Sequence, residues 1–309
     1  MQEATSRAVE RAAVRRRGIQ WGRIATIAGF LLPAMLIYIG LVLFPVIQAI
    51  YYSFFRWNGL GPLQNFINVA NYTRAFSDRA FIGALGHNLQ ILLLSLAIQL
   101  PLALGLALLV RGSLRGRAVF RTIFFMPFVL SQVVTGVIWS FIYLPQGGLI
   151  NALYQMIYPG AVSPAFLANP STVLYAVFVV ITWKFFGFHM ILYTAGLQNI
   201  PAELEEAARI DGATNWQVLR YVTIPLLGST VRLTIYLSVL GSLQIFDLIW
   251  VMTTGGPVSA SDTMATYLYK FGFQRFQLGY GSAIAVIMFL ICFGFSLVYQ
   301  RVVMRRDFE

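Results

Sequence analysis

Apolar residues in this chain come in long runs, without the alternation or amphipathic stripes of a soluble domain. Six runs stand out, at about 24–50, 87–110, 119–143, 171–195, 224–252 and 280–303. Each is long enough to cross a hydrocarbon core about 30 Å thick, which takes roughly 20 helical residues. The pattern therefore predicts an all-α integral membrane protein with six transmembrane helices. Pro33, Pro45, Pro101 and Pro127 fall inside these runs; membrane helices tolerate this because neighbouring groups re-satisfy the freed backbone. The first run follows Arg15, Arg16 and Arg17, as the core of a signal peptide would. It is far longer than the roughly 7–15 residues of such a core, and no small-residue cleavage site follows, so it reads as a retained span.

The polar positions between the runs give an orientation. Arg7, Arg11, Arg15, Arg16, Arg17 and Arg23 precede the first run. Arg111, Arg115, Arg117 and Arg121 lie between the second and third, and Arg301, Arg305 and Arg306 end the last. With six spans these segments share one side. The connection from Leu144 to Pro170 carries no charge, and the one before the last span has only Asp262, Lys270 and Arg275. Because Lys and Arg concentrate in cytoplasmic loops, both termini are expected in the cytoplasm. The expected organisation is a basic cytoplasmic tail over 1–23, a six-helix transmembrane domain over 24–303 and a short cytoplasmic tail over 304–309.

Composition agrees. The chain is 58% hydrophobic and 11% charged, against about 25% charged in soluble domains. Its net charge is +11, and all basic residues but Lys184 and Lys270 are arginine. Those arginines sit between apolar runs and form no stripe with exposed aromatics, which argues against nucleic acid. The single cysteine, Cys292, excludes an internal disulfide, and His87 and His189 are too far apart to form a metal motif.

The connection from Pro201 to Pro225 differs from the other loops. It holds Glu203, Glu205 and Glu206, three of the 11 acidic residues. Pro201 suits a helix start, and acids near that start suit the macrodipole. Leu204, Ala207 and Ala208 share one face. Gly212 is a natural stop, and Thr214 with Gln217 makes a capping box for a second short helix. A helix–turn–helix knuckle on the cytoplasmic face is expected. Its sequence, Glu206-Ala207-Ala208, then Asp211-Gly212-Ala213, then Ile224-Pro225-Leu226, resembles the EAA signature of ABC importer permeases. The resemblance implies that Glu206, Ala207, Ala208, Asp211, Gly212 and Ala213 form a coupling helix seated on an ATP-hydrolysing subunit. The chain has no Walker-type glycine loop, so no cofactor is expected on it, with ATP and Mg bound by the partner ATPase.

A second resemblance covers Phe246-Asp247 through Gly255-Gly256-Pro257, and Gly279-Tyr280-Gly281-Ser282-Ala283. Both are similar to the carbohydrate-uptake branch of these permeases, the first permease of a heterodimeric pair, in a form shorter than the maltose-type subunit. It implies a bacterial inner-membrane location and import of a sugar, polyol or glycerol-phosphate. The implied partners are a second homologous permease, two copies of an ATP-binding subunit and an extracytoplasmic binding protein.

Ionisable groups within spans are costly and point to function. Lys184 and His189 lie in the fourth span, Arg232 and Asp247 in the fifth. Lys184 and Asp247 are expected to be offset by roughly 10 Å at 1.5 Å per residue. Trp183, Phe188, Gln244 and Asp247 offer aromatic faces and hydrogen-bonding groups for a sugar, and with Lys184 they form the expected substrate path. Buried Gln and Asp also hold helices together. Other readings are a permease for a non-sugar substrate, a membrane-embedded enzyme or a channel. An enzyme needs paired catalytic groups at one depth, and a channel has no need of the knuckle.

Overall fold

Helices follow the apolar runs but break where polar side chains can satisfy the freed backbone. A computed structural model of the chain describes residues 21–111 and 116–304. The expected basic tail before residue 21, Arg115 and the residues after Met304 lie outside that description. The chain forms two units, Met1–Tyr51 and Tyr52–Glu309. In the first, α1 (Thr26–Tyr52) is apolar throughout, with Phe30, Leu36 and Leu41 exposed. A helix apolar on all sides needs lipid or protein around it.

The second unit contains α2 (Ala70–Ser77), α3 (Arg79–Arg111), α4 (Arg117–Val129), α5 (Gln132–Ile142), α6 (Leu149–Ile157) and α7 (Val173–Gln198). It continues with α8 (Ala202–Ile210), α9 (Asn215–Leu226), α10 (Gly228–Gln244), α11 (Asp247–Thr253), α12 (Met264–Tyr269) and α13 (Leu278–Val302). Among the described residues the β pairing is one isolated bridge, Phe55 to Phe66. Four helices, α1, α3, α7 and α13, are each long and apolar enough to cross a membrane. Two bent pairs, α4 with α5 and α9 with α10, raise this to as many as six.

Two expected continuous spans are broken. The run over 119–143 bends by 97° between α4 and α5. Leu130 and Ser131 are extended there, and the Ser131 hydroxyl accepts from the Val134 N–H, capping α5. The run over 224–252 starts with a 67° bend before α10 and breaks again at Ile245 and Phe246. Distant side chains satisfy this second break. Asn88 donates to the Ser242 carbonyl at 2.7 Å and accepts from the Met264 N–H at 2.8 Å, while Thr263 donates to the Ile245 carbonyl at 2.9 Å. The expected outer loop at 51–86 is also partly helical, containing α2 and the start of α3.

α7 is apolar all round and lies deepest, with 67% of its apolar window buried against 33% for α3 and α13. Met190, Tyr193 and Leu197 of α7 pack on Ala103 and Ala107 of α3. At Gly187, α7 crosses α4 so closely that a Cβ would stand 1.9 Å from the Phe124 carbonyl oxygen. Beyond α11, Gly255-Gly256-Pro257 turns the chain, and Lys270 reaches the buried Asp262 at 2.7 Å.

Candidate functional site

Two features stand out, a knuckle and a cavity. In the knuckle, Pro201 caps α8, whose first turn carries Glu203 and Glu205. Gly212 ends α8 at φ +87°, a conformation that favours glycine, and the Ala213 N–H returns to the Ala208 carbonyl at 3.0 Å. Thr214 and Gln217 form both halves of the expected capping box at the start of α9.

The packing of α8 differs from the amphipathic expectation. Leu204 is 46% exposed and Ile210 is 85% exposed, and Ala207 is exposed too; the buried residue of α8 is Glu205. The Arg111 guanidinium at the end of α3 donates to Glu205 Oε1 at 2.7 Å, and the Thr223 hydroxyl of α9 donates to the same oxygen at 2.7 Å. Arg209 lies 3.8 Å from Oε2. Burial alone would raise the Glu205 pKa. The bonds from Arg111 and Thr223, with the charges of Arg111 and Arg209, outweigh it and hold the carboxyl below the ordinary carboxylate range. A purely apolar-face argument missed Glu205 because it ignored an arginine nearly a hundred positions away.

The surface left outward mixes charged residues (Glu203, Glu206, Arg209, Asp211) with large apolar ones. Trp216 and Tyr221 are exposed, as are Leu204 and Ile210. The knuckle also carries a depression of 390 Å³ lined by Ala208, Asp211, Gly212, Ala213, Gln217, Tyr221 and Val222. Of the six residues assigned to coupling, Glu206 and Ala207 flank this depression in sequence and are exposed, and the other four line it.

The cavity, also about 390 Å³, opens between α3, α7 and α10. It is lined by Ile91, Ser95 and Gln99 of α3, by Phe128 and Gln132 at the α4–α5 break, by Ile181, Phe185, Phe188 and His189 of α7, and by Ser238, Ser242, Gln244, Phe246 and Asp247 around the second break. Phe128 and Phe188 stack at 4.7 Å. His189 Nδ1 and Ser238 Oγ are buried and have no hydrogen-bond partner among the described residues.

Three of the five path residues, Phe188, Gln244 and Asp247, come together at this cavity. Trp183 and Lys184 do not line it. Trp183 stands edge-on to Trp139 at 5.5 Å. Lys184 is 2% exposed and donates its ammonium protons to the carbonyls of Pro127, Phe128 and Leu130, the open end of α4. No ion pair joins it to Asp247 among the described residues. The sequence reading overlooked Ser95, Gln99, Gln132, Ser238 and Ser242. Ser95 with Gln99, and Ser238 with Ser242, are polar pairs four residues apart inside apolar runs. That spacing places each pair on one helix face and could have flagged both.

Comparison with known proteins gives a consistent picture. A family described as the binding-protein-dependent transport system inner membrane component matches residues 99–307. The chain is 37% identical over 270 residues to a probable ABC transporter permease protein of Pyrococcus horikoshii, covering 87% of this chain and 92% of the relative. It is 31% identical over 312 residues to the diacetylchitobiose uptake system permease protein of Streptomyces coelicolor, covering 95% of this chain and 88% of the relative. Among solved structures, it is similar to a bacterial ABC transporter involved in the import of the acidic polysaccharide alginate. The TM-score is 0.81 and the identity 24%, with 92% of this chain and 96% of that chain covered.

Proposed function

Because the chain belongs to the binding-protein-dependent transport system inner membrane component family, we propose that it forms half of the pathway of a sugar importer and takes its motion from a separate ATPase through the α8–α9 knuckle. The observation that carries this reading is the knuckle's outward face. It exposes Leu204, Ile210, Trp216 and Tyr221 and carries a depression lined by Ala208, Asp211, Gly212, Ala213 and Tyr221. Large apolar side chains left exposed together with a depression on one short segment suit a protein interaction site.

In this reading all six spans cross the membrane, each bent pair counting as one, and both termini face the cytoplasm. Residues 1–23 and 304–309 are tails and 24–303 the permease domain. A second homologous permease completes the pathway, two ATP-binding subunits with ATP and Mg dock on the knuckles, and an extracytoplasmic protein delivers the substrate. This chain carries no catalytic group. ATP-driven closure of the ATPase pair displaces Glu206 to Ala213, and the bundle rocks to expose the cavity on the other face. Hydrolysis resets it.

A sugar suits the cavity, whose Phe188 ring offers a stacking face and whose Gln99, Gln132, Gln244 and Asp247 offer hydrogen bonds to hydroxyls. Trp183 and Lys184 act behind this wall, Lys184 by holding the α4–α5 break open. The diacetylchitobiose relative supports the saccharide class.

Affinity purification of the tagged chain from membranes in mild detergent tests the reading. The expected result is recovery of an ATPase with Walker motifs and a second permease bearing its own knuckle; the chain alone, or a homo-oligomer, would exclude it. The associated binding protein, screened against saccharides, polyols, amino acids, phosphate and metal ions, is expected to bind a saccharide or polyol. An amino acid, phosphate or metal ligand would retain the importer and remove the sugar.

A further inference from the structure

Glu205 lies next to the coupling residues yet faces away from their docking surface. The knuckle's covalent tie to α7 is the short stretch Asn199 to Pro201, which lies outside both helices. A displacement applied to α8 would be lost in bending there unless a second tie held it. Glu205 supplies one. Its carboxylate binds Arg111 at the end of α3 and Thr223 in α9. α3 packs along α7 through Ala103 and Ala107, and carries Ser95 and Gln99 to the cavity wall. α9 leads into α10, which carries Ser238, Ser242 and Gln244 to the same cavity. One side chain of the knuckle thus grips the ends of two elements that each line the cavity.

We propose that Glu205 is the positioning residue that transmits knuckle displacement to the cavity walls, through its ion pair with Arg111 and its hydrogen bond from Thr223. The inference rests on the coupling reading above. The Thr223 end of the tie lies in a widened helical turn, Leu219–Thr223, an irregularity often found at functional positions. The Arg111 side chain is 27% exposed and that of Glu205 10%, so the pair is only partly screened by solvent.

The test uses the complex recovered with its ATPase and partner permease, reconstituted in liposomes, and reads substrate transported per ATP hydrolysed. Glu205→Gln keeps an acceptor for Thr223 but removes the charge facing Arg111. It is expected to assemble in normal yield and to lower the ratio about five- to tenfold, within the roughly two- to 150-fold span of coupled contacting pairs. Reciprocal exchange, Glu205→Arg with Arg111→Glu, is expected to recover most of the loss. Glu203→Gln, an exposed neighbour on α8, is expected to change nothing. An unchanged ratio in Glu205→Gln overturns the proposal, as does failure of the exchange to recover any loss. If Glu205→Gln does not assemble, Arg111→Gln is read the same way; an unchanged ratio there, or failure of both variants to assemble, assigns the pair to architecture and overturns the transmission role. Failure of the coupling reading itself would show earlier, as a wild-type chain that recovers no ATPase.

Discussion

Gly212 ends α8 with φ +87°, and proline, locked near −65°, cannot adopt that angle. Gly212→Pro is expected to leave the spans inserted and to uncouple ATP hydrolysis from transport, measured together in liposomes; normal transport by this variant would refute the coupling assignment. At Glu205 the sign of the pH effect follows from the lowered carboxyl pKa. Its contribution is fully present above the ordinary value of 4.5 and is lost as pH falls through the lower folded value. Hydrogen exchange of the α8 amides, corrected for intrinsic rates, is expected to show steady protection above pH 4.5 and a fall below it. Lys184 separates two roles. If it holds the α4 carbonyls, Lys184→Met leaves buried acceptors unpaired at about 1–3 kcal/mol each. The complex should then melt at lower temperature in detergent. A changed substrate affinity with an unchanged melting temperature would instead make Lys184 a substrate contact. Its type and depth could be read from the sequence, but its partners could not, because they are backbone carbonyls more than fifty positions away.

At the scale of elements, membrane helices break where something else supplies the missing hydrogen bonds. Ser131 was legible as an N-cap residue inside the third run, whereas the break after Gln244 was not. Its satisfaction depends on Asn88 and Thr263, and no local window contains them. Close crossing of α7 and α4 at Gly187 belongs to this scale too. Gly187→Ala places a Cβ 1.9 Å from the Phe124 carbonyl oxygen, and forcing the helices apart is expected to cost about 1–3 kcal/mol. The reconstituted complex should melt lower, while Gly83→Ala, which meets nothing within 4 Å, should leave melting unchanged.

The whole molecule is an inner-membrane permease of a binding-protein-dependent ABC importer. α3 is 33 residues long, which spans about 50 Å at 1.5 Å per residue, longer than the hydrocarbon core. One end leads from the loop holding Trp57 and Asn58, and the other meets the knuckle through Arg111. With Cys292 replaced by serine, single cysteines at Asn58 and at Trp216 should therefore label from opposite faces of the membrane. Labelling of both from one face would remove the proposed topology.

The sequence by itself determined the solvent, the helical class, the apolar segments and the knuckle. Each depends on neighbours along the chain: a run of apolar residues, a capping box within four positions, a glycine two residues past a helix end. Tertiary structure decided where the spans break, that α8 is held by Glu205 and not by its apolar face, and which polar groups meet at one cavity. Those outcomes depend on hydrogen bonds and ion pairs between residues far apart in the chain, such as Arg111 with Glu205 and Asn88 with Ser242. Inside the apolar bundle a bond such as that of Asn88 outweighs local apolar patterning, since an unpaired polar group there has no water to fall back on, and at the knuckle the buried Glu205 carboxylate is held by its charged partner.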